Sequence, residues 1–292
     1  MNSLELFAGA GGAALGIRRA GVTALACVEW DADAAAALSA NGFPAVHGDV
    51  RSVDYTDLPH VDLLWASPPC KAWSGLGKRK GADDERNGWP WTLDVVRAVR
   101  PTWVVCENVP GSRKYVEVEV LPKLRELYPF VEVWTLDAAD HGVASHRSRI
   151  FVVAGPSPRK PPVTSAQVKV SDVLPELRES GYSFFAHECN AGWGLARVPH
   201  HIDQPCHAIT AGSEKSHGGN GLLFVRSEAE EGKTLAPGSK WHRRATVKEC
   251  AALMGFPAEH TFIGNTTSAR RQVGNAVPPP LAEAVVRAIR LA

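Results

Sequence analysis

Between residues 3 and 155, short apolar runs alternate with segments whose apolar positions recur at helical spacing. The runs SLELFA (3–8), ALACVEW (24–30), VDLLWAS (61–67), TWVVCENV (102–109) and RIFVVAG (149–155) predict strands. The pieces between them predict helices: AALGIRRAG (13–21), DADAAAALSANG (31–42), TLDVVRAVRP (92–101) and YVEVEVLPKLRELYP (115–129). Gly42 closes the second of these and Pro101 stops the third. Strands alternating with helices predict an α/β fold, a doubly wound and mostly parallel sheet. Its functional groups are expected at the carboxyl ends of the strands.

After Gly155 the pattern fades. PSPRKPPVTS (156–165) reads as a linker, and residues 165–241 combine weak periodicity with many glycines and histidines. Short strand-like pieces there, HAITAG (207–212) and GLLFVR (221–226), predict a small irregular second domain. Helical spacing returns at ATVKECAALMGFP (245–257), where Thr246 and Glu249 fit a capping box. A proline run then leads into an amphipathic helix whose apolar face (Leu281, Val285, Val286, Ile289) is expected to return to the first domain. The expected divisions are 1–155, 156–245 and 246–292.

Composition adds exclusions. With 292 residues, 45% hydrophobic and 22% charged, the chain is of ordinary globular type. No apolar window of about 18 residues predicts a membrane span, and the first residues lack signal-peptide character. Six scattered cysteines suggest reduced thiols in a cytoplasm rather than a disulfide framework. A net charge of +1 means that any nucleic-acid footprint is local.

Four stretches carry candidate chemistry. In FAGAGGAA, Gly9, Gly11 and Ala14 fit a G-x-G-x-x-A turn, which lets a backbone approach a nucleotide-like ligand. Glu29 then falls where such folds place a carboxylate on ribose hydroxyls. Trp30 offers a face for adenine, and Asp49, after a possible third strand, an acceptor for its amino group. A tight turn with two solvated acids is the plainer alternative, and the ligand is either a dinucleotide or S-adenosylmethionine. In SPPCKAWSGLGKRKG, Pro68 and Pro69 stiffen the approach to Cys70, and Lys71 stands beside it. Cys70 is a packed thiol, a metal ligand lacking a C-x-x-C partner, or a nucleophile favoured by the nearby cation. In CENVPG, Glu107 ends an apolar strand, either at the surface or as a carboxyl kept protonated in a dry site. In SHRSRIFVV, Arg147 and Arg149 alternate into a strand and can face one side, unless both are surface arginines.

In order and spacing these stretches resemble the cytosine-5 DNA methyltransferase family. LFAGAGG is similar to its cofactor motif, SPPCKAWSGLGKRKG to its Pro-Cys nucleophile and mobile loop, ENVPG to its Glu-Asn-Val motif, and HRSRIFVVAG to its arginine motif. RRATVKECAALMGFP and QVGNAVPPPLAEAV resemble its last two blocks. The likeness covers residues 3–155 and 243–290, and the stretch between corresponds to the family's variable recognition region. It implies a Rossmann-like methyltransferase fold and S-adenosylmethionine as methyl donor, with no metal. It further implies double-stranded DNA as partner, base flipping, a role in restriction-modification and a monomeric, cytoplasmic protein. By the same likeness Cys70 attacks cytosine C6, Glu107 contacts N3 and the exocyclic amine, and Arg149 with Arg147 orients the base. Phe7, Ala8, Gly9, Gly11, Gly12, Glu29, Trp30, Asp49, Val50, Pro69 and Asn275 would hold the cofactor. Lys71, Ser74, Lys78, Arg79 and Lys80 would close over DNA.

Two departures stand out. Lys71 and Ser145 occupy positions where the family usually has Gln. The alternatives are a tRNA cytosine methyltransferase on the same scaffold and a non-catalytic DNA-binding relative. A nicotinamide dehydrogenase shares only the glycine turn. Residues 233–248 hold five basic residues and no acid, so Trp241, Arg243 and Arg244 are further DNA candidates. Within EKSHGGNGL (214–222), Lys215, His217 and Asn220 suit groove contacts. The histidines and cysteines of 187–217 lack common zinc spacing.

Overall fold

The computed structural model describes residues 1–69, 84–163, 166–187, 199–211, 222–227 and 242–290. The chain divides into two compact units. The first comprises Met1–Asp137, Ser148–Pro162 and Leu281–Ala292; the second comprises Ala138–Arg147 and Val163–Pro280. The connector ahead of RIFVVAG therefore belongs to the second unit, as do the two helices that precede the last one.

In the first unit the order is β1 (Asn2–Leu6), α1 (Gly12–Arg19), β2 (Thr23–Glu29), α2 (Ala32–Ala40), β3 (Ala45–His47), β4 (Leu63–Ala66), α3 (Trp89–Val99) and β5 (Trp103–Asn108). A helical stretch follows, made of α4 (Arg113–Tyr115), a π turn at Val116–Val120 and α5 (Leu121–Arg125). Pro122 has no N–H to return to the preceding turn, and the wider turn ends just ahead of it. Two strands close the series, β6 (Phe130–Asp137) and β7 (Ser148–Gly155).

The seven strands lie in the order β3-β2-β1-β4-β5-β7-β6. The first five are mutually parallel. β7 runs antiparallel to both neighbours, so RIFVVAG is the exception to the expected parallel sheet. The cause is the link from β6: a short connection without a crossover helix can join only antiparallel strands. β6 itself was not foreseen. It lies at the sheet edge, exposed or half-buried over Phe130–Val133 and buried only at Trp134 and Leu136.

One sheet face buries Leu4, Leu6, Val28, Leu64, Val104 and Val152 against Trp89, Leu93 and Val96 of α3 and against Val116, Val120 and Leu124. Fully apolar strands such as Leu63–Ala66, buried at every position, suit a sheet covered on both faces.

The second unit holds α6 (Val170–Val173), α7 (Glu176–Glu179) and a four-stranded antiparallel sheet. The strands are β8 (Tyr182–His187), β9 (His200–His201), β10 (Leu222–Arg226) and β11 (His242–Arg244), in the order β11-β10-β8-β9. GLLFVR is thus a strand, whereas the described part of HAITAG is not. Two helices complete it, α8 (Val247–Leu253) and α9 (Thr266–Asn275). Thr246 and Glu249 form the expected capping box at α8.

The last helix, α10 (Pro279–Arg290), joins the first unit from Leu281 onward. Leu281, Val285, Val286 and Ile289 are buried, as the apolar stripe predicts. Arg287 and Arg290 donate to the carbonyls of Arg19 and Ala20, supplying cations where the C-terminus of α1 favours them.

Candidate active site

The glycine turn joins β1 to α1. Phe7, Gly9 and Gly11 all have positive φ, of 57°, 56° and 86°. Gly9 and Gly11 adopt this freely, but Phe7 does so against side-chain sterics, the kind of local strain that collects at functional sites. A Cβ on Gly11 would also lie 3.1 Å from Leu38 Cδ2. Gly12 opens α1, and the Ala8 amide bonds to Val28 O at 3.0 Å.

Glu29 ends β2 beside this turn. Its Oε2 accepts from the Gly9 amide and its Oε1 from the Asp31 amide, each at 2.7 Å. Burial raises its pKa, and the backbone donors of Asp31, Gly9 and Trp30 work against that rise. Three backbone donors leave the carboxylate capacity for one further donor, such as a ligand hydroxyl. Trp30, next in sequence, leaves 69% of its surface exposed, so its indole face is open to a planar ligand.

Asp49 follows β3. Arg51 grips it through its backbone amide (2.9 Å), through Nε (3.0 Å to each oxygen) and through Nη2. The hydrogen bonds from the Arg51 side chain lower the Asp49 pKa, so it is an ionised acceptor. Arg51 in turn stacks 4.5 Å over the Trp91 ring. Val50 is buried and its carbonyl accepts from Tyr55 OH at 2.8 Å.

The prolyl turn leaves β4. Pro68, Pro69 and Phe7 converge on Gly88, where a Cβ would meet all three at 2.9–3.0 Å. Only glycine admits that approach. Asn108, 1% exposed at the end of β5, donates Nδ2 to Pro68 O at 3.0 Å and accepts from the Val109 amide at 2.8 Å. Cys70, Lys71, Ser74, Lys78, Arg79 and Lys80 lie outside the described residues, as does Trp241.

Glu107 pairs with Arg149. Arg149 Nε stands 2.9 Å from Glu107 Oε1, with side chains 15% and 10% exposed. The register explains the meeting: Glu107 lies opposite Phe151 on antiparallel β7, so Arg149, two residues away, is its diagonal neighbour on the same face. Glu107 is therefore buried at a strand end, not at the surface.

Arg147 does not share that arrangement. β7 begins at Ser148, so Arg147 lies off the strand, and it belongs to the second unit. Its guanidinium donates to Ile209 O and Gly274 O, each at 3.0 Å. The expectation that the two arginines face one side thus gives way to different partners for each. Asn275, at the end of α9, also belongs to the second unit and is exposed. Ser145 is fully buried and donates Oγ to His207 O at 3.1 Å.

The basic stretch splits likewise. Arg243 makes a two-pronged contact with Glu249, at 2.7 and 2.9 Å, and lies over the rings of Tyr182 and Phe224. That is a structural engagement of its own, and DNA contact by Arg243 remains a proposal. Arg244, its neighbour on β11, is exposed.

Sequence reading overlooked the roles of Gly88, Arg51 and Asn108. The available signal for Asn108 was its polar amide at the buried end of an apolar run.

Comparison with known proteins agrees along the whole chain. The family model for C-5 cytosine-specific DNA methylases matches residues 1–290. The type II methyltransferase M.NaeI of Lentzea aerocolonigenes is 32% identical over 318 residues, covering 99% of this chain and 74% of that protein. M.NgoMIV of Neisseria gonorrhoeae, also a type II methyltransferase, is 30% identical, covering 98% and 96%. Among solved structures, the Entamoeba histolytica methyltransferase EhMeth superposes with a TM-score of 0.75 at 19% identity, covering 100% of this chain and 99% of that one. The Dnmt2 methyltransferase of S. pombe superposes with a TM-score of 0.69 at 19% identity, covering 100% and 97%. At those identities the two structures speak for the fold.

Proposed function

The chain belongs to the C-5 cytosine-specific DNA methylase family and is a DNA cytosine methyltransferase, and we propose that it acts on a cytosine flipped out of duplex DNA through a covalent bond to Cys70. The observation that carries this reading is the convergence at two strand ends: β5 presents Glu107 paired with Arg149, while its next residue, Asn108, holds the prolyl turn that leads to Cys70.

Cytosine C5 is a weak nucleophile inside an aromatic ring. Addition of the Cys70 thiolate to C6 makes C5 enamine-like, with the electron pair delocalised toward N3 and O2. Glu107 donates a proton to N3 and accepts from the exocyclic amine, so the electron pair displaced from C6 is neutralised on the ring, and the proton returns to Glu107 when the S–C6 bond breaks. Arg149, held by Glu107, faces the base from the adjoining strand. Once C5 carries the methyl group, its proton leaves to a base and the S–C6 bond breaks, returning the thiolate. The target edge is hidden in a duplex, so the base must leave the stack.

S-adenosylmethionine supplies the electrophilic methyl group when bound. The residues present fit it: an open positive-φ turn, a Glu29 carboxylate with acceptor capacity left, the exposed Trp30 face, and the ionised Asp49. Ala8, Gly12, Val50 and Pro69 line the same strand ends, and Asn275 is proposed to join them. Lys71, Ser74, Lys78, Arg79, Lys80, Trp241, Arg243 and Arg244 are proposed DNA contacts.

Duplexes carrying 5-fluorocytosine test the reaction, because fluorine cannot leave C5 as a proton does. A denaturation-resistant complex that needs both cofactor and Cys70 is expected. Undiminished methylation by Cys70→Ala would overturn the covalent route. Bisulfite sequencing of DNA from cells expressing the chain reads out the target sequence.

A further inference from the structure

Arg147 is two residues from Arg149, yet its surroundings point to a different task. It is 3% exposed. Burying a guanidinium is costly unless its donors are satisfied, and here two of them are met by main-chain carbonyls, Ile209 O and Gly274 O, at 3.0 Å each. Gly274 lies in the last turn of α9, whose terminal carbonyls have no partner within the helix and whose dipole favours a cation. The planar fork of arginine suits two acceptors at a fixed angle; a lysine cannot reproduce it. Arg147 thus caps α9 and grips the segment 206–211 with the same group.

The seam it closes is tight. A Cβ on Gly274 would sit 2.2 Å from the Ala211 nitrogen and 2.3 Å from the Thr210 carbonyl carbon. The residues just before Arg147 run along the same segment. Ser145 Oγ donates to His207 O at 3.1 Å, His146 N to Cys206 O at 2.8 Å, and Cys206 N to Ala144 O at 2.9 Å. Ser145, His146 and Arg147 together splint residues 206–209 against the end of α9.

We infer that Arg147 is a positioning residue for target recognition: its fork locks the backbone of 206–211 to the C-terminus of α9. In sequence the locked segment leads directly into Lys215, His217 and Asn220, the side chains suited to groove contacts. This rests on the reading that the second unit selects the DNA target. Ser145, in place of the family's usual Gln, belongs to the same splint.

A base-contacting arginine and a positioning one differ in what their loss does. Losing a base contact lowers the rate at saturating DNA. Losing the lock raises the KM for DNA and weakens discrimination between target and altered sequences, with the saturated rate little changed. The test uses the full chain and two variants, Arg147→Lys, which keeps the charge but not the fork, and Gly274→Ala, which opens the seam without touching the charge. Hydrogen exchange of the protein alone is expected to quicken in 206–211 and in the last turn of α9 in both. Single-turnover methylation is expected to show KM for target duplex raised about tenfold, the low end for a lost bond to a charged donor, and the saturated rate within about threefold. Discrimination against a one-base-altered duplex is expected to fall. A saturated rate reduced a hundredfold in Arg147→Lys, with KM and exchange unchanged, would overturn the inference; so would a Gly274→Ala variant that matches wild type in exchange and KM. Wild-type protein that leaves DNA cytosine unmethylated would instead remove the underlying reading, while exchange would still report on the lock.

Discussion

Asn108 Nδ2 donates to Pro68 O at 3.0 Å, which fastens the end of β5 to the rigid turn that precedes Cys70. Both groups are shielded from water, so nothing replaces the bond when the amide is removed. Asn108→Ala is expected to cost about 1–3 kcal/mol, the desolvation penalty of an unmet buried carbonyl. That is a melting shift of a few degrees, at about 2–4 °C per kcal/mol. Methyl transfer at a temperature where the variant stays folded should fall by more than stability explains. A lowered melting point with wild-type turnover would make the bond structural only.

Glu107 and Arg149 should separate by substitution. Glu107→Gln keeps the shape and loses the transferable proton, and a fall in methyl transfer on the order of 10²–10⁴-fold is expected, with cofactor binding kept. Arg149→Ala leaves a carboxylate buried without its guanidinium and should destabilise the first unit by about 3–5 kcal/mol. Thermal melts and single-turnover rates read the two effects. Turnover within threefold of wild type in Glu107→Gln would take Glu107 out of the chemistry.

Glu5 lies 2% exposed on β1, with Cys27 Sγ 3.9 Å from its Oε2. Burial, and then the charge of Glu29, push its pKa well above the usual carboxylate range. In the unfolded chain the same group ionises above about pH 4.3. Between those two values the folded state binds the extra proton, so stability falls as pH rises through the window. Glu5→Gln cannot titrate and escapes that loss. Its melting temperature should exceed that of wild type at alkaline pH and converge with it toward pH 4. A gap independent of pH would show that Glu5 is not the group responsible.

Arg243 and Arg244 should behave differently although they are adjacent. Arg243 is held by Glu249 and two aromatic rings, whereas Arg244 is exposed. Arg243→Ala is expected to lower the melting temperature and to reduce the salt slope of DNA binding by less than Arg244→Ala does. Arg244→Ala should spare the melting temperature and reduce the salt slope by about one, as for a lost phosphate contact. A full one-unit drop in the first variant would show Arg243 to be as strong a phosphate contact as Arg244, and no drop at all would limit it to its structural role.

Hydrophobic period and turn chemistry are local properties, and by themselves they determined β1, α1, β2, α2, β4, α3, β5 and α10, together with the glycine turn and Glu29 beside it. Each of those signals lies within one turn or one run of residues, so no neighbour in space is needed to read it. The order of the chemical motifs likewise pointed to a methyltransferase before any coordinate. What the tertiary structure alone decided depends on which strand lies beside which. β6 is apolar at five of its eight positions, but these are spread over both faces, so the run has no period-two stripe to mark it as a strand. The reversed direction of β7 follows from its link to β6, and that reversal makes Arg149 the diagonal neighbour of Glu107. Arg147 and Arg149 look equivalent along the chain. They part because the strand begins between them, at Ser148, so one reaches a carboxylate across the sheet and the other two carbonyls of the second unit.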